Sequence, residues 1–285
     1  MKFKFQENKY AKDILIDCEK MSDVKSFTKD STPFLVDFHE ILFITKGEGI
    51  FRLDDEKINF SKGTVLLLPP NKWRRWEKID ESIDGFFLIF KKDFISTFFN
   101  DQLFLYRFHF FYNNSTPSYI HLSDDKLVDF LKRLEDVRAE FKNLRADSEH
   151  LLRAILYFIL ININRIYSRQ FEITGDFFEN NLTLRFRDLL ERSVRSHSDV
   201  SFYADKLGVS KSHLNKTLKK SLGKSSSEII KERLLTEAKR ELLFSQLSIS
   251  EVGFELNFSE PSNFNRFFKE AVGIPPKEFR AKNSK

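Results

Sequence analysis

The feature that most constrains this fold is a pattern that occurs twice near the C-terminal end, about fifty residues apart. In the first copy, an apolar helix with Ala204 and Leu207 is interrupted by Gly208, and a helix led by serine follows. Glycine supplies a left-handed turn at little cost, and serine is a good helix N-cap. In the second copy Asn257 takes the turn position, which asparagine tolerates better than most residues. The repeat therefore predicts two helix-turn-helix units.

A long helix, predicted from about Ser226 to Phe244, joins the two units. Ser225, followed three positions later by Glu228, is a capping-box signature at its start. In the second unit we predict Ser259 as the N-cap and Pro261 in the first turn, where its missing amide hydrogen is harmless. Recognition helices held one DNA turn apart in this way can read successive major grooves.

Charge is distributed unevenly along the chain. The formal net charge is +5, but residues 183–285 hold twenty Lys and Arg against thirteen Asp and Glu, and the remainder is slightly acidic. A phosphate backbone is a natural partner for such a segment, because neutralised phosphates release counterions. A solvated basic surface would give the same count, so charge alone leaves the two interpretations about equal.

The N-terminal part has the pattern of an antiparallel barrel or sandwich, with strands predicted over about 1–122. Short apolar runs are separated by glycine and aspartate turns, and one of them ends at Pro69 and Pro70. From about 123 to 169 the period becomes helical, with Ser123 as the predicted N-cap. The apolar stripe of these helices could pack inside the chain or form a dimer surface. Its members are Leu127, Leu131, Leu134, Phe141 and Leu144.

These patterns divide the chain into a domain of strands and helices at 1–169, whose apolar helices could form a dimer, a linker at 170–183 and a helical domain at 184–285. The linker contains Gly175 and a pair of asparagines. The single cysteine, Cys18, excludes an internal disulfide and suits a reducing compartment. The apolar run at 151–163 is too short and too polar to span a bilayer. Because the N-terminus also has no apolar signal core, we expect a cytoplasmic protein without a membrane partner.

Residues 184–281 resemble the DNA-binding domain of AraC/XylS-type transcription regulators. The stretches that carry the resemblance are YADKLGVSKSHLNKTLKKSLGKS, ERLLTEAKRELL and ISEVGFELNFSEPSNFNRFFKEAVGIPPKEFR. Two positions depart from the family, since Gly253 stands where alanine is usual and Asn257 stands where glycine is usual. A glycine inside a helix costs at most about 1 kcal/mol relative to alanine, so the match is only slightly weakened.

The resemblance also implies which side chains contact DNA. A guanidinium such as that of Arg266 can pair with guanine through two hydrogen bonds, although a phosphate contact is equally consistent with its position. Carried over by position, the base readers are Ser212, Asn215 and Lys216 in the first unit and Pro261, Ser262 and Arg266 in the second, while His213 and Asn263 reach bases or phosphates.

The N-terminal strands resemble the cupin-like sensor barrel of the same family, over DFHEILFITKGEGIFRLDDEKINFSKGTVLLLPPNKWRRWE. This implies a small-molecule effector, with His39, Trp73 and Trp76 as candidate pocket residues, although core packing is the more frequent role of a tryptophan. His39 and Glu40 alternate on a strand, so both cannot point inward. Histidines with metal-ligand spacing are missing, so we expect no metal and no cofactor.

Together these features predict an α+β protein that is not an enzyme. A cupin-like antiparallel β-barrel with a helical segment precedes an all-α domain of two helix-turn-helix units joined by a long helix. The resemblance implies a transcription regulator, more often an activator, with double-stranded promoter DNA and RNA polymerase as partners, and the apolar helical stripe favours a homodimer. The alternative is a metal-dependent cupin enzyme with a helical extension, and a scaffold without DNA affinity is disfavoured by the basic segment.

Overall fold

The computed structural model describes residues 2–6, 9, 14–24, 32–99, 104–112, 116–173 and 181–283. The chain forms two compact units, Met1–Phe177 and Phe178–Lys285. Half of the predicted linker at 170–183, namely residues 174–180 with Gly175, lies outside the described residues. The helices on either side of this gap end at Gln170 and begin at Asn181.

The first unit is built on short strands that make two facing antiparallel sheets. The larger sheet has the strand order β10-β7-β4-β9-β2, the smaller one has the order β6-β5-β8, and β1 and β3 form a short parallel pair. This arrangement confirms the predicted antiparallel barrel. The strands are β1 (Lys2–Phe3), β2 (Ile16–Lys20), β3 (Leu35–Val36), β4 (His39–Lys46), β5 (Gly49–Leu53), β6 (Glu56–Phe60), β7 (Thr64–Leu68), β8 (Arg74–Ile79), β9 (Asp84–Phe90) and β10 (Tyr119–His121).

The two faces of the larger sheet have different neighbours, because side chains alternate along a strand. Ile41 and Phe43 on β4 belong to a core shared with the helices. Leu42 and Leu66 point the other way, into a second core that includes Trp76 of the smaller sheet. The barrel interior therefore lies between the two sheets, and the helices cover the outer face of the larger one.

In the described residues, the α-helices of the first unit are α1 (Lys92–Phe99), α2 (His109–Tyr112), α3 (Asp124–Lys142) and α4 (Ser148–Gln170). Ser123 is the N-cap of α3, as predicted, although its side chain makes no capping hydrogen bond. Leu127 and Leu134 are buried in the core, so most of the predicted stripe packs inside the chain. The large apolar side chains that remain exposed on α3 and α4 are Val128, Leu151 and Phe158.

Helix α4 is, among the described residues, a helix long and apolar enough to cross a membrane by length and composition. The prediction from the sequence considered only residues 151–163, whereas the helix has 23 residues. Leu152, Leu156, Ile159 and Ile163 lie in the core of the first unit. A core helix of a soluble protein passes the same test, so the length of α4 is weak evidence for a membrane span.

The second unit is entirely helical in its described residues. An ion-pair network joins its first helix to its central one, because Arg233 pairs with both Glu191 and Glu237. Glu237 is buried and also contacts Arg195 and Arg240. The helices are α5 (Asn181–Ser193), α6 (Val200–Leu207), α7 (Lys211–Leu222), α8 (Ser226–Phe244), α9 (Ile249–Glu255), α10 (Pro261–Val272) and α11 (Pro276–Asn283). The predicted joining helix is confirmed as α8, and both halves of its capping box between Ser225 and Glu228 are present.

Candidate nucleic-acid interface and ligand pocket

The turn between α6 and α7 has the geometry that the sequence predicts. Gly208 has a left-handed backbone with φ of 71°, and the amide of Val209 donates to the carbonyl of Ala204 at 3.0 Å. Ser210 caps α7, since its hydroxyl accepts from the amide of His213 at 3.1 Å. These bonds satisfy groups that helix ends leave unpaired, so the angle between the two helices is well defined.

The turn between α9 and α10 repeats this arrangement. Asn257 has φ of 61°, and the amide of Phe258 donates to the carbonyl of Gly253 at 3.0 Å, as Val209 does in the first unit. A Cβ added to Gly253 would lie 3.1 Å from the Cβ of Phe264, a tight contact that Phe264 would have to relieve by moving a few tenths of an ångström. The side-chain amide of Asn257 donates to the carbonyl of Ser196 at 2.7 Å.

The predicted cap of α10 is wrong by one residue. Glu260 is the N-cap, with an extended backbone and no capping hydrogen bond from its side chain. Ser259 instead accepts from the side-chain amide of Asn263 at 3.3 Å. Pro261 does occupy the first turn, as predicted. The proline itself therefore defines the start of the helix, because its fixed φ is already helical.

Most of the predicted DNA-contacting residues lie on the outer surfaces of α7 and α10. Arg266 is exposed and donates to Asn263 at 3.3 Å, and this weak contact leaves the guanidinium able to reach a partner outside the chain. Whether these side chains contact DNA stays a prediction. Ser212, His213, Lys216, Ser262 and Arg266 are exposed, whereas Asn215, Pro261 and Asn263 are half-buried.

Asn215 has a structural contact that the sequence did not predict. Its side-chain oxygen accepts from the amide of Ser226 at 2.9 Å and from the Ser226 hydroxyl at 2.7 Å. The contact ties recognition helix α7 to the first residue of α8. A bidentate contact with adenine requires this same oxygen, so the structure gives Asn215 a competing role.

His39 does not belong to the barrel interior, contrary to its proposed role in effector binding. Its ring is buried on the helix-covered side, stacks on Phe90 at 5.2 Å between ring centroids, and lies 2.8 Å from the Tyr112 hydroxyl. Burial, with the positive charges of Arg74 and Lys92, lowers the pKa of His39 to about 3. The alternation that the sequence indicated is correct, but Glu40 is the residue that faces inward.

The barrel interior contains a cavity of about 310 Å³. Trp76 lines it and packs edge-on against Phe51, with ring centroids 4.8 Å apart. Trp73 is half-buried and is not among the described residues that line the cavity. Of the three candidate pocket residues, only Trp76 is thus in a position to touch a ligand there.

A buried ion pair lies at the cavity wall and was not predicted. Arg74 is fully buried, contacts the Glu40 carboxylate and donates to the carbonyls of Leu68 and Pro69 at 3.1 and 2.8 Å. Burial raises the pKa of Glu40, and the Arg74 charge opposes that shift. Arg74 stands four positions after Pro70, but nothing in the local sequence indicated that it turns inward. In the described part of the chain no group of three metal-binding side chains is present.

Two family models match the chain. An AraC-like ligand binding domain covers residues 28–155, and a helix-turn-helix domain covers residues 203–282. An uncharacterized HTH-type transcriptional regulator of Staphylococcus aureus (strain COL) is 22% identical over 94% of this chain, which spans only 33% of that protein. The HTH-type transcriptional activator RhaR of Mannheimia succiniciproducens is 20% identical, with 86% of each chain covered.

The chain is only weakly similar to solved structures. ToxT from Vibrio cholerae has a TM-score of 0.47 at 12% identity, with 94% of this chain and 98% of that chain covered. The DNA-binding domain of AdpA in complex with a target DNA has a TM-score of 0.33 at 21% identity, covering 36% of this chain and 93% of that one. Because a ligand-binding model and a helix-turn-helix model match in the order that the two units have here, the chain belongs to the AraC-type family of transcription regulators.

Proposed function

We propose that this chain is a cytoplasmic, sequence-specific DNA-binding regulator of transcription and not an enzyme. The observation that carries the proposal is the repeated turn geometry. Gly208 and Asn257 both hold a left-handed backbone, with φ of 71° and 61°, and each turn leads into a helix with an exposed polar and cationic surface. Helices of this kind fit the DNA major groove, and Lys and Arg side chains compensate phosphate charge.

The two recognition helices have different roles in this proposal. Arg266 on α10 pairs with guanine, and Lys216 on α7 contacts a base or a phosphate. Asn215 contributes its amide nitrogen alone, because its oxygen is bonded to Ser226. The other proposed contacts are Ser212, His213, Pro261, Ser262 and Asn263.

Selection of binding sites from random DNA, followed by titration of each variant on the selected site, tests this function. We expect Arg266→Ala to reduce the free energy of binding to the selected site by about 1–3 kcal/mol and to relax the base preference at one position of that site. If Arg266 instead contacts a phosphate, the variant should bind all sequences more weakly to a similar extent, and its affinity should depend less steeply on salt concentration. Arg185→Ala, which removes an exposed arginine from α5, is the matched control and should leave affinity and preference unchanged.

If the wild-type chain selects no sequence, or if Arg266→Ala and Lys216→Ala both keep full affinity and preference, the proposal is wrong. Lys277→Ala is the matched control for Lys216→Ala, because Lys277 is exposed on α11 outside both recognition helices.

The first unit is the sensor in this proposal. Its cavity of about 310 Å³ is at the lower end of the range of ligand pockets, and its lining is mostly apolar with a few polar groups. The relative RhaR carries the name of an activator. We extend this to the present chain and propose that it activates transcription through contact with RNA polymerase, as a homodimer.

A further inference from the structure

The larger sheet contributes acidic side chains to the wall of the cavity, and strand pairing sets the spacing between them. Asp17 on β2 and Glu40 on β4 are both paired in register with Ile89 on β9, and all three line the cavity. Neighbouring strands lie about 4.8 Å apart, which places the two acidic residues roughly 10 Å from each other across the sheet. Glu19 follows two positions after Asp17, on the same face of β2.

The two acidic residues of β2 share a cation that comes from outside the sheets. The ammonium of Lys9 lies 2.7 Å from Oδ2 of Asp17 and also contacts Oε1 of Glu19. Lys9 belongs to no strand and is itself part of the cavity lining. A primary ammonium therefore already occupies the point in the cavity where two carboxylate oxygens converge.

The rest of the cavity is suited to an apolar body. Leu42, Phe51, Trp76 and Phe87 are among the side chains that line it. A water molecule occupies about 30 Å³ of liquid, so a cavity of about 310 Å³ has room for roughly ten non-hydrogen atoms. These dimensions fit one aromatic ring with a short side chain.

We propose that the effector is a small, mainly apolar amine whose ammonium takes the place of Lys9 between Asp17 and Glu19. The apolar part then packs beside Phe51 and Trp76. This inference rests on the proposed function, because it treats the cavity as the effector site. Charge-assisted hydrogen bonds make an ammonium a better partner for two carboxylates than a hydroxyl, and a ligand carboxylate would be repelled by them.

Three probes with the same ring and chain test the ligand class: phenylbutylamine, phenylbutanol and phenylbutanoate. Each is titrated calorimetrically into the full chain without DNA. We expect the amine to bind at least tenfold more tightly than the alcohol or the carboxylate. The double variant Asp17→Asn with Glu19→Gln should lose this preference and keep its affinity for phenylbutanol, and Glu81→Gln, an exposed carboxylate outside the cavity, is its control.

Lys9→Met separates the two possible roles of Lys9. If the ligand ammonium replaces that of Lys9, removal of the competing charge should tighten phenylbutylamine binding several-fold. If Lys9 instead anchors an anionic ligand, the same variant should abolish phenylbutanoate binding and leave the amine unchanged. Lys57→Met is the matched control, because Lys57 is exposed on β6 and does not line the cavity.

Three outcomes would overturn the proposed ligand class. They are tighter binding of phenylbutanoate than of phenylbutylamine, weaker binding of the amine by Lys9→Met than by the wild-type chain, and no binding of any probe at millimolar concentration. Circular dichroism melting of each variant shows whether it is folded, and Lys9→Met provides a second test if the double variant is not. Binding to selected DNA, measured separately on the same preparations, reports on the proposed function. Loss of DNA binding with intact amine binding would contradict that function and not the ligand class.

Discussion

Asn257 illustrates how one side chain adapts to a turn that favours glycine. It adopts φ of 61° and donates to the carbonyl of Ser196 at 2.7 Å. Asn257→Gly removes the left-handed strain but also removes the hydrogen bond, so we expect the free energy of unfolding to change by less than about 0.5 kcal/mol. Asn257→Ala loses the bond and keeps the strain, and it should be less stable than the glycine variant by about 1 kcal/mol.

Urea unfolding followed by circular dichroism measures this difference. Ser262→Ala, on the exposed surface of α10, is the control and should change stability by less than about 0.5 kcal/mol. Equal stability of the glycine and alanine variants would show that backbone conformation is not the determining factor at this turn.

Asn215 is the residue for which structural and DNA-binding roles compete most directly. Removal of its side chain in Asn215→Ala leaves the amide of Ser226, at the start of α8, without its acceptor. We expect a loss of about 1–2 kcal/mol in the free energy of unfolding, comparable to the loss of a helix cap. Ser212→Ala, an exposed change on the same helix, is the matched control. Unchanged stability together with a changed base preference would assign Asn215 to base reading instead.

At the level of helices and strands, local chemistry determined what could be predicted. Helix α8 runs from Ser226 to Phe244 as predicted, because its capping box and apolar period are encoded in adjacent residues. The cap of α10 was predicted as Ser259 because serine is the better cap, but the extended backbone of Glu260 sets the actual boundary.

Contacts between distant segments could not be predicted in this way. Arg74 and Glu40 are 34 residues apart, and their pairing depends on which face of β4 turns inward. Strand alternation shows that His39 and Glu40 point to opposite sides, but it does not show on which side the helices pack. For this reason His39 was placed in the wrong environment and the cavity carboxylates were missed.

Helices α3 and α4 carry the surface that we propose for the homodimer. The predicted stripe of Leu127, Leu131 and Leu134 is mostly core, so charged substitutions there should unfold the first unit. Leu151 and Phe158 are each about half exposed and lie two turns apart on one face of α4. We expect Leu151→Glu with Phe158→Glu to convert a dimer into a monomer in sedimentation at micromolar concentration.

The matched control for the dimer surface is Phe254→Glu, because Phe254 is also exposed but lies in the second unit. It should leave the sedimentation coefficient unchanged. A wild-type chain that is already monomeric at this concentration would contradict the proposed dimer.

At the level of the whole molecule, the division at Phe177 and Phe178 predicts that the second unit folds and binds DNA alone. A fragment of residues 178–285 should show an affinity that falls with salt, with a log-log slope of about −0.9 for each phosphate neutralised. A fragment that begins at residue 184 should be less stable. It lacks the first turn of α5, including Thr183, whose hydroxyl lies 2.8 Å from that of Ser221.

Thermal melting and DNA titration of the two fragments measure this difference. Identical melting curves would show that the first turn of α5 contributes nothing to the second unit. A folded fragment 178–285 without salt-dependent binding would show that DNA recognition requires the first unit as well.

The bond between Asn215 and Ser226 has a consequence for the operator. It fastens α7 to α8, whose 19 residues extend about 28 Å, so the distance between the recognition helices is set by the protein and not by the DNA. One base pair inserted between the two half-sites rotates them by about 35° relative to each other, and ten inserted pairs restore the rotation but not the distance. We therefore expect either insertion to reduce affinity to that of a single unit in a gel-shift titration, whereas substitutions in the same gap are tolerated. In a genome, the protein would then bind only where two short recognition sequences are separated by a fixed number of base pairs.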